Sequence, residues 1–232
     1  MKNIINTNDL KIRLCTSEDV KDIYELQNIV IEYFKENEKG YFLPFKEESY
    51  LRIVNDSIND GEIYGAFLKD KMIAWIFLSV SNRMEQIKSF IPDINGNCAD
   101  IDGIIVLPEY RGNGLQKILV NYLEKRAREL GIQNILAEVT FGNEYSLRNL
   151  QNLGYEIKTW YQKDENIKRH ILLKRLWKGD SNEELYNITW KFWFKWRKLV
   201  SMVKERIRRK KFKSWCTTNA CRCWQSKFWK LV

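Results

Sequence analysis

Two aspartates alternate along the short apolar run Ala99-Asp100-Ile101-Asp102-Gly103-Ile104-Ile105-Val106, and a glycine pair, Gly112 and Gly114, follows it. Each feature suits a chemistry. Two carboxylates on one strand face raise one another's pKa, which fits a general base working near neutral pH. The competing reading is a solvated strand edge, or an ion pair with a nearby lysine. The glycines lie where a strand gives way to a strongly periodic helix. Backbone N–H groups at such a turn can meet a phosphate with no side chain in the way. Residue type excludes two other phosphate motifs. A dinucleotide fingerprint needs a third glycine three residues after Gly114, where Lys117 stands. A P-loop needs Gly-Lys-Ser/Thr after four intervening residues, and the chain lacks it here. A tight turn without a ligand stays as the alternative.

The surrounding elements must hold these residues in place. Leu115, Ile118, Leu119, Tyr122, Leu123, Ala127 and Leu130 recur at three- and four-residue steps, which predicts an amphipathic helix closed by Gly131. Lys117, Glu124, Lys125, Arg126 and Arg128 fall largely off that stripe. The aspartate run reads as a strand that ends before Pro108, since proline cannot donate to a ladder. Upstream, Lys11 to Cys15 reads as a first strand. Thr16 or Ser17 caps a helix to about Phe34, with Val20, Ile23, Leu26, Ile29 and Val30 on one face. A shorter helix runs from Glu47 to about Ile58. Glu62 to Leu68 and Met72 to Val80 form a hairpin around Lys69-Asp70-Lys71. A gap containing Pro92, Asn95 and Gly96 precedes the aspartate strand. Downstream come a strand at Asn134 to Thr140, a helix at 144–153, and strands at Tyr155 to Tyr161 and His170 to Lys174. This order predicts an α/β fold with a mixed, mostly antiparallel central sheet flanked by helices.

The glycine turn and its flanks resemble the GCN5-related N-acetyltransferase (GNAT) superfamily. That family carries Arg/Gln-x-x-Gly-x-Gly/Ala at this turn, against Arg111, Gly112, Asn113, Gly114, Leu115 and Gln116 here. The first and fourth positions match, and Gln116 stands where the family has a small residue. Val106-x-Pro108-x-Tyr110-Arg111 upstream is also similar. So is the block from Asn143 to Tyr155, in the right order and after a strand. The resemblance covers roughly residues 11–177. It implies acetyl-CoA as cosubstrate and transfer of its acetyl group to a primary amine of unknown identity. It implies that backbone groups of Ile104, Ile105 and Val106 hold the pantetheine arm and polarise the thioester carbonyl. It implies that Arg111, Gly112, Asn113, Gly114, Leu115 and Gln116 hold the pyrophosphate, and that Asn143 contacts the cofactor. The family often places an acidic base at Asp100 or Asp102. Many members carry a proton-donating tyrosine four residues before the glycine that ends the later helix; that position here is Leu150. In this fold the acceptor is read by the first helices and the late strands, here around Tyr33 to Phe45 and Tyr155 to Tyr161, whose aromatics point to an apolar wall.

Composition divides the chain. Of 232 residues, 44% are hydrophobic, enough for a real core. The net charge of +9 is concentrated at the C-terminal end. Residues 180–232 hold 14 Lys/Arg against 4 Asp/Glu, and the remainder 25 against 26. Six of the nine tryptophans also lie in that tail. The expected organisation is therefore an acetyltransferase-like domain at 1–179 and a basic, Trp-rich helical extension at 180–232. In the extension, Leu185, Ile188, Phe192, Trp196, Leu199, Val203 and Ile207 form a helical stripe, and Lys204 to Lys213 adds seven basic residues and one acidic one. Such a helix fits docking on the body or on a second copy in a homodimer. It fits equally an anionic membrane surface or a nucleic-acid backbone.

Other residue types exclude rather than assign. Five cysteines, unevenly spread, do not make a disulfide scaffold. Cys216, Cys221 and Cys223 lack a fourth ligand for structural zinc, so no metal site is expected. Cys98 reads as a buried inert thiol, His170 as a half-exposed strand residue, and Trp75, Trp160 and Trp177 as core or core-edge aromatics. The N-terminus lacks the apolar core of a signal peptide and no run of 18 apolar residues occurs. A cytoplasmic protein, or one peripheral to a membrane through its tail, is the expectation. Three functions remain open on sequence: an N-acetyltransferase, a catalytically inactive acyl-CoA-binding regulatory module, and a membrane- or nucleic-acid-binding protein acting through the tail.

Overall fold

A computed structural model describes residues 3–36, 44–57, 60–80, 84–163 and 167–176. All of them fall in the first of two compact units into which the chain divides, Met1–Glu183 and Glu184–Val232. The basic extension, Trp177 and the three C-terminal cysteines lie outside the described residues.

Seven strands form one sheet in the order β1-β2-β3-β4-β5-β7-β6. They are β1 (Leu10–Leu14), β2 (Gly61–Leu68), β3 (Lys71–Ser79), β4 (Cys98–Val106), β5 (Asn134–Thr140), β6 (Glu156–Gln162) and β7 (Lys168–Arg175). Only β4 and β5 pair in parallel; every other ladder is antiparallel. This is the mixed, mostly antiparallel sheet expected from sequence. Among the described residues five helices flank it: α1 (Val20–Glu36), α2 (Glu47–Asn55), α3 (Met84–Phe90), α4 (Leu115–Glu129) and α5 (Glu144–Asn152).

β2 and β3 are buried along nearly their whole length on both faces, which accounts for their unbroken apolar character. Alternating residues show what covers each face. Trp75 meets Tyr50 of α2, ring centroids 5.6 Å apart. Its neighbour Ile76 pairs with Tyr64, whose ring meets Tyr122 of α4 at 5.1 Å. The hairpin turn places Lys69 and Asp70 at φ 48° and 66°, so β3 begins at Lys71, one residue earlier than expected.

The first helix begins as a short 3-10 turn at Ser17–Asp19, capped by Thr16 and by the Asp19 carboxylate, before α1 proper. Val20, Ile23, Leu26 and Val30 are buried as the periodicity predicts, but Ile29 is 45% exposed. Gln27 takes an inward position instead and is fully buried. In α4, Val120 and Glu124 join the buried stripe and Tyr122 is partly exposed. Burial of Glu124 follows from its partner: Lys174 Nζ donates to both carboxylate oxygens at 2.7 Å. Gly131, at φ 70°, follows α4 as expected.

The gap expected before the aspartate strand holds α3. Ile87 of this helix packs with Ile94, Leu136, Ile171 and Leu173, so it covers the β5–β7 half of the sheet. Trp75 is core, fully buried, whereas Trp160 is 54% exposed on the outer strand β6. Among the described residues, no helix is long and apolar enough to cross a membrane.

Candidate active site

The site is built on the parting of β4 and β5. Their ladder pairs Cys98 to Ile101 with Asn134 to Ala137 and stops there, although β4 continues to Val106 and β5 to Thr140. A cavity of about 140 Å³ opens at the parting, lined among others by Ile101, Asp102, Gly103 and Ile104 from β4 and Ala137 to Thr140 from β5. Phe45, Asn143, Ser146, Leu150, Lys163 and Arg169 close it.

An irregularity in β4 decides which aspartate meets the cavity. In the β3–β4 ladder Phe77 pairs with Gly103 and Leu78 with Ile101, so Asp102 is an extra residue. Such a bulge breaks alternation and re-aims a side chain. The strict two-residue period that places Asp100 and Asp102 on one face therefore does not hold. Asp102 lines the cavity; Asp100 is 8% exposed, pairs in register with Ser79 and is not part of the lining. Of the expected backbone donors, Ile104 lines the cavity, Ile105 is buried, and Val106 ends the strand.

Phe45 is held over the cavity by Gln27. The Gln27 amide donates to Phe45 O and accepts from Phe45 N, both at 2.8 Å, and accepts from the Tyr50 hydroxyl at 2.6 Å. Burial first, and the nearby Asp102 carboxylate second, hold the Tyr50 hydroxyl firmly protonated.

The glycine turn follows β4 through a 3-10 turn at Pro108–Tyr110. Gly112 and Gly114 take φ 88° and 71°, the left-handed region where a Cβ is unfavourable. Gly114 is the N-cap of α4, and a Cβ there would meet nothing within 4 Å. The turn therefore faces open space in front of a helix N-terminus, the geometry a phosphate needs. The side chains around it are already engaged. Arg111 Nε donates to Val106 O at 3.3 Å, and its guanidinium lies over the rings of Tyr33 and Phe34 at 4.7 and 5.1 Å. Asn113 donates to Asn3 O and Tyr110 O and accepts from Ile5 N, which stitches the N-terminal segment to the turn. Gln116 donates to Ser146 Oγ at 3.1 Å and accepts from Asn149 at 2.7 Å, so it couples α4 to α5. Leu115, by contrast, is buried in the core. Any phosphate contact from this stretch thus falls to its backbone. Asn143 lines the cavity and caps α5, accepting from Ser146 N at 3.3 Å.

Phe45 lies at the end of the segment expected to form an apolar wall, whereas three residues of the cavity wall carried no chemistry signal in sequence: Glu138, Lys163 and Arg169. They come from β5, the residue after β6, and β7, and only the β5–β7–β6 ladder brings them together. Glu138 accepts from the Tyr161 hydroxyl at 2.7 Å and from Arg169 Nη1 at 2.9 Å, with Lys163 Nζ 3.9 Å away. Burial pushes the Glu138 carboxyl up, but those hydrogen bonds and cations outweigh it and hold it below the usual carboxylate range. Leu150 is 2% exposed and presents an apolar wall where a hydroxyl was expected from the family pattern. Cys98 is half-buried, and burial pushes its thiol up to about 12, consistent with an inert group. His170 is half-buried and stacks on Phe141 at 4.0 Å. Among the described residues no cluster of His, Cys, Asp or Glu could hold a metal ion.

Comparison with solved structures finds this fold repeatedly. An N-acetyltransferase from Staphylococcus aureus Mu50 matches with a TM-score of 0.56 at 14% identity, covering 72% of this chain and 99% of that one. The yncA structure from Salmonella typhimurium, solved with its cofactor acetyl-CoA, gives 0.59 at 13% identity, covering 75% and 98%. The ribosomal-protein-S18-alanine N-acetyltransferase from Escherichia coli gives 0.54 at 16% identity, covering 75% and 97%. At these identities the likeness is one of fold. No curated protein matches the chain. The model of the acetyltransferase (GNAT) family, however, matches residues 23–155, more than half of the length. That span runs from α1 through the bulged β4, the glycine turn and α5, and the chain belongs to the GNAT acetyltransferase family.

Proposed function

We propose that this chain transfers the acetyl group of acetyl-CoA, the cosubstrate of its family, to a primary amine bound in the cavity between β4 and β5. The observation that carries the reading is the parting of those strands beside Asp102. The β4–β5 register ends at Ile101, and an extended ligand can run along β4 beyond it, on the side where β5 has parted. The backbone of Ile104 to Val106 supplies the groups that align the pantetheine arm and the thioester carbonyl. The turn from Arg111 to Gln116 faces the pyrophosphate with backbone N–H groups, and Asn143 borders the path between the two. The coenzyme supplies an activated acyl carbon and a thiolate leaving group.

Asp102 is the proposed base. An amine attacks only in its neutral form, so an ammonium must first lose a proton, here to the Asp102 carboxylate. The nitrogen then bonds to the carbonyl carbon, the carbon–sulfur bond breaks with its electron pair leaving on sulfur, and the nitrogen gives up its second proton to water or to the departing thiolate, leaving a neutral amide. Leu150 has no proton to give, so thiolate departure rests on its own low basicity and on neighbouring N–H groups. Asp100, outside the lining, is proposed to act only through the β3–β4 ladder. The test follows free coenzyme A released from acetyl-CoA across a panel of primary amines. Turnover that drops at least 100-fold in Asp102→Asn, with acetyl-CoA affinity retained, supports the assignment. Unchanged turnover in that variant removes Asp102 from the mechanism.

A further inference from the structure

The cavity wall is divided by charge. β4 contributes Asp102, while β7 contributes Arg169 and the residue just after β6 is Lys163. Between them Glu138 is shared by both cations and by the Tyr161 hydroxyl. One carboxylate set against two cations leaves that side of the wall with a surplus positive charge among the described residues. The Arg169 side chain is only 12% exposed, and its Nε–H is buried without an acceptor. A guanidinium so enclosed holds more donor capacity than the protein around it satisfies, and an anion restores the balance. Lys163, 35% exposed, stands at the rim and adds a second cation.

Resting on the acetyl-transfer reading, the geometry points to an acceptor that carries a carboxylate beside its amine, an α-amino acid or a molecule with that zwitterionic head. The ammonium faces Asp102, where it loses its proton. The carboxylate faces Arg169 and Lys163. Opposed charges at the two ends orient the molecule and reject an amine with no anion, which would leave the cationic wall facing nothing. Phe45 lines the same cavity and offers an apolar face to the acceptor's side chain.

Free amino acids and their primary amides separate this idea from simple amine reactivity. The amide has the more acidic ammonium, so more of it is the reactive free amine, and any preference for the acid comes from its carboxylate. Phenylalanine, methionine and glutamine are each compared with the corresponding amide, by kcat/KM. At least a tenfold preference for the acid is expected. Lys163→Met, at a half-exposed position, is expected to cut that preference severalfold. Arg169→Lys, which keeps the charge but loses the fork, is expected to cut it further. Equal or better rates with the amides overturn the proposal, and so does a preference that neither substitution moves. Calorimetric binding of acetyl-CoA is followed alongside. Coenzyme binding without transfer to any acid overturns this proposal alone, whereas loss of coenzyme binding overturns the acetyl-transfer reading beneath it as well.

Discussion

Replacing Gln27 by leucine removes one side chain and three hydrogen bonds. The volume is nearly conserved, so the cost lies in polar groups rather than in a cavity. Gln27 is fully buried and holds both Phe45 N and Phe45 O at 2.8 Å and the Tyr50 hydroxyl at 2.6 Å. Each such bond contributes about 0.5–1.5 kcal/mol net, and a buried partner left unpaired costs about 1–3 kcal/mol. Phe45 is half-buried and recovers some hydration; Tyr50 is fully buried and recovers none. The sum is about 3 kcal/mol, which for a domain of this size lowers Tm by roughly 6–12 °C. Urea unfolding followed by tryptophan fluorescence reads it directly, because Trp75 lies against Tyr50. Gln27→Glu supplies the sign. Its carboxylate keeps the two acceptor bonds but cannot donate to Phe45 O, and burial raises its pKa above the unfolded value near about 4.3. A raised carboxyl is stabilising below its unfolded pKa and loses that contribution as pH rises through the folded one. Relative to the unsubstituted chain, Gln27→Glu should therefore regain stability toward acid pH, and Gln27→Leu should not. A Gln27→Leu shift under about 1 kcal/mol would refute the idea that this amide orders the segment carrying Phe45.

Other outcomes follow from the site and its supports. Asp102→Asn should lower kcat/KM by about 10²–10⁴ while Asp100→Asn lowers it far less, a contrast that steady-state kinetics on one acceptor resolves. Gly114→Ala should cost about 1–2 kcal/mol through its left-handed backbone alone, since no atom opposes the added methyl. Gly114→Trp should instead abolish acetyl-CoA binding in calorimetry by filling the space before α4. Asp19 is held below the usual aspartate range by hydrogen bonds from Arg13 at 2.7 and 2.8 Å, which outweigh burial. A lowered acid contributes stability above its unfolded pKa and loses it as pH falls through the folded one. Asp19→Asn should thus flatten the fall in stability below about pH 4, measured by denaturation at stepped pH.

Periodicity made the succession of strands and helices legible, and residue type the glycine turn, because both depend on local patterns. Val20, Ile23, Leu26 and Val30 repeat as a helix face must, and Pro108 marks a strand end whatever surrounds it. Three features were not legible for physical reasons. α3 has only two turns, and its burial comes from Leu136, Ile171 and Leu173, far along the chain. The bulge at Asp102 changes no residue type; it exists only in the register between β3 and β4. Glu124 falls off the apolar stripe and Gln27 off the apolar face, yet both are buried, because burial of a polar side chain depends on a partner, Lys174 in one case and Phe45 with Tyr50 in the other. The same holds for the cavity. Gly114 and Asn143 stood out by motif, whereas Glu138, Lys163 and Arg169 converge only once β5, β7 and β6 pair.

The short β4–β5 ladder has a mechanical side. Four residue pairs join a leaf of β1 to β4 to a leaf of β5 to β7, reinforced by the Glu124–Lys174 clasp between α4 and β7. Without a ligand the molecule is a sheet with an open seam. An extended molecule laid along β4 closes that seam with the bonds a strand would have made, so its binding belongs in part to the completion of the fold. At a hundred times its Kd such a ligand adds about 2.7 kcal/mol to stability. The added protection should concentrate at those amides of residues 102–106 that face β5 rather than β3, where hydrogen exchange would show the seam being sewn.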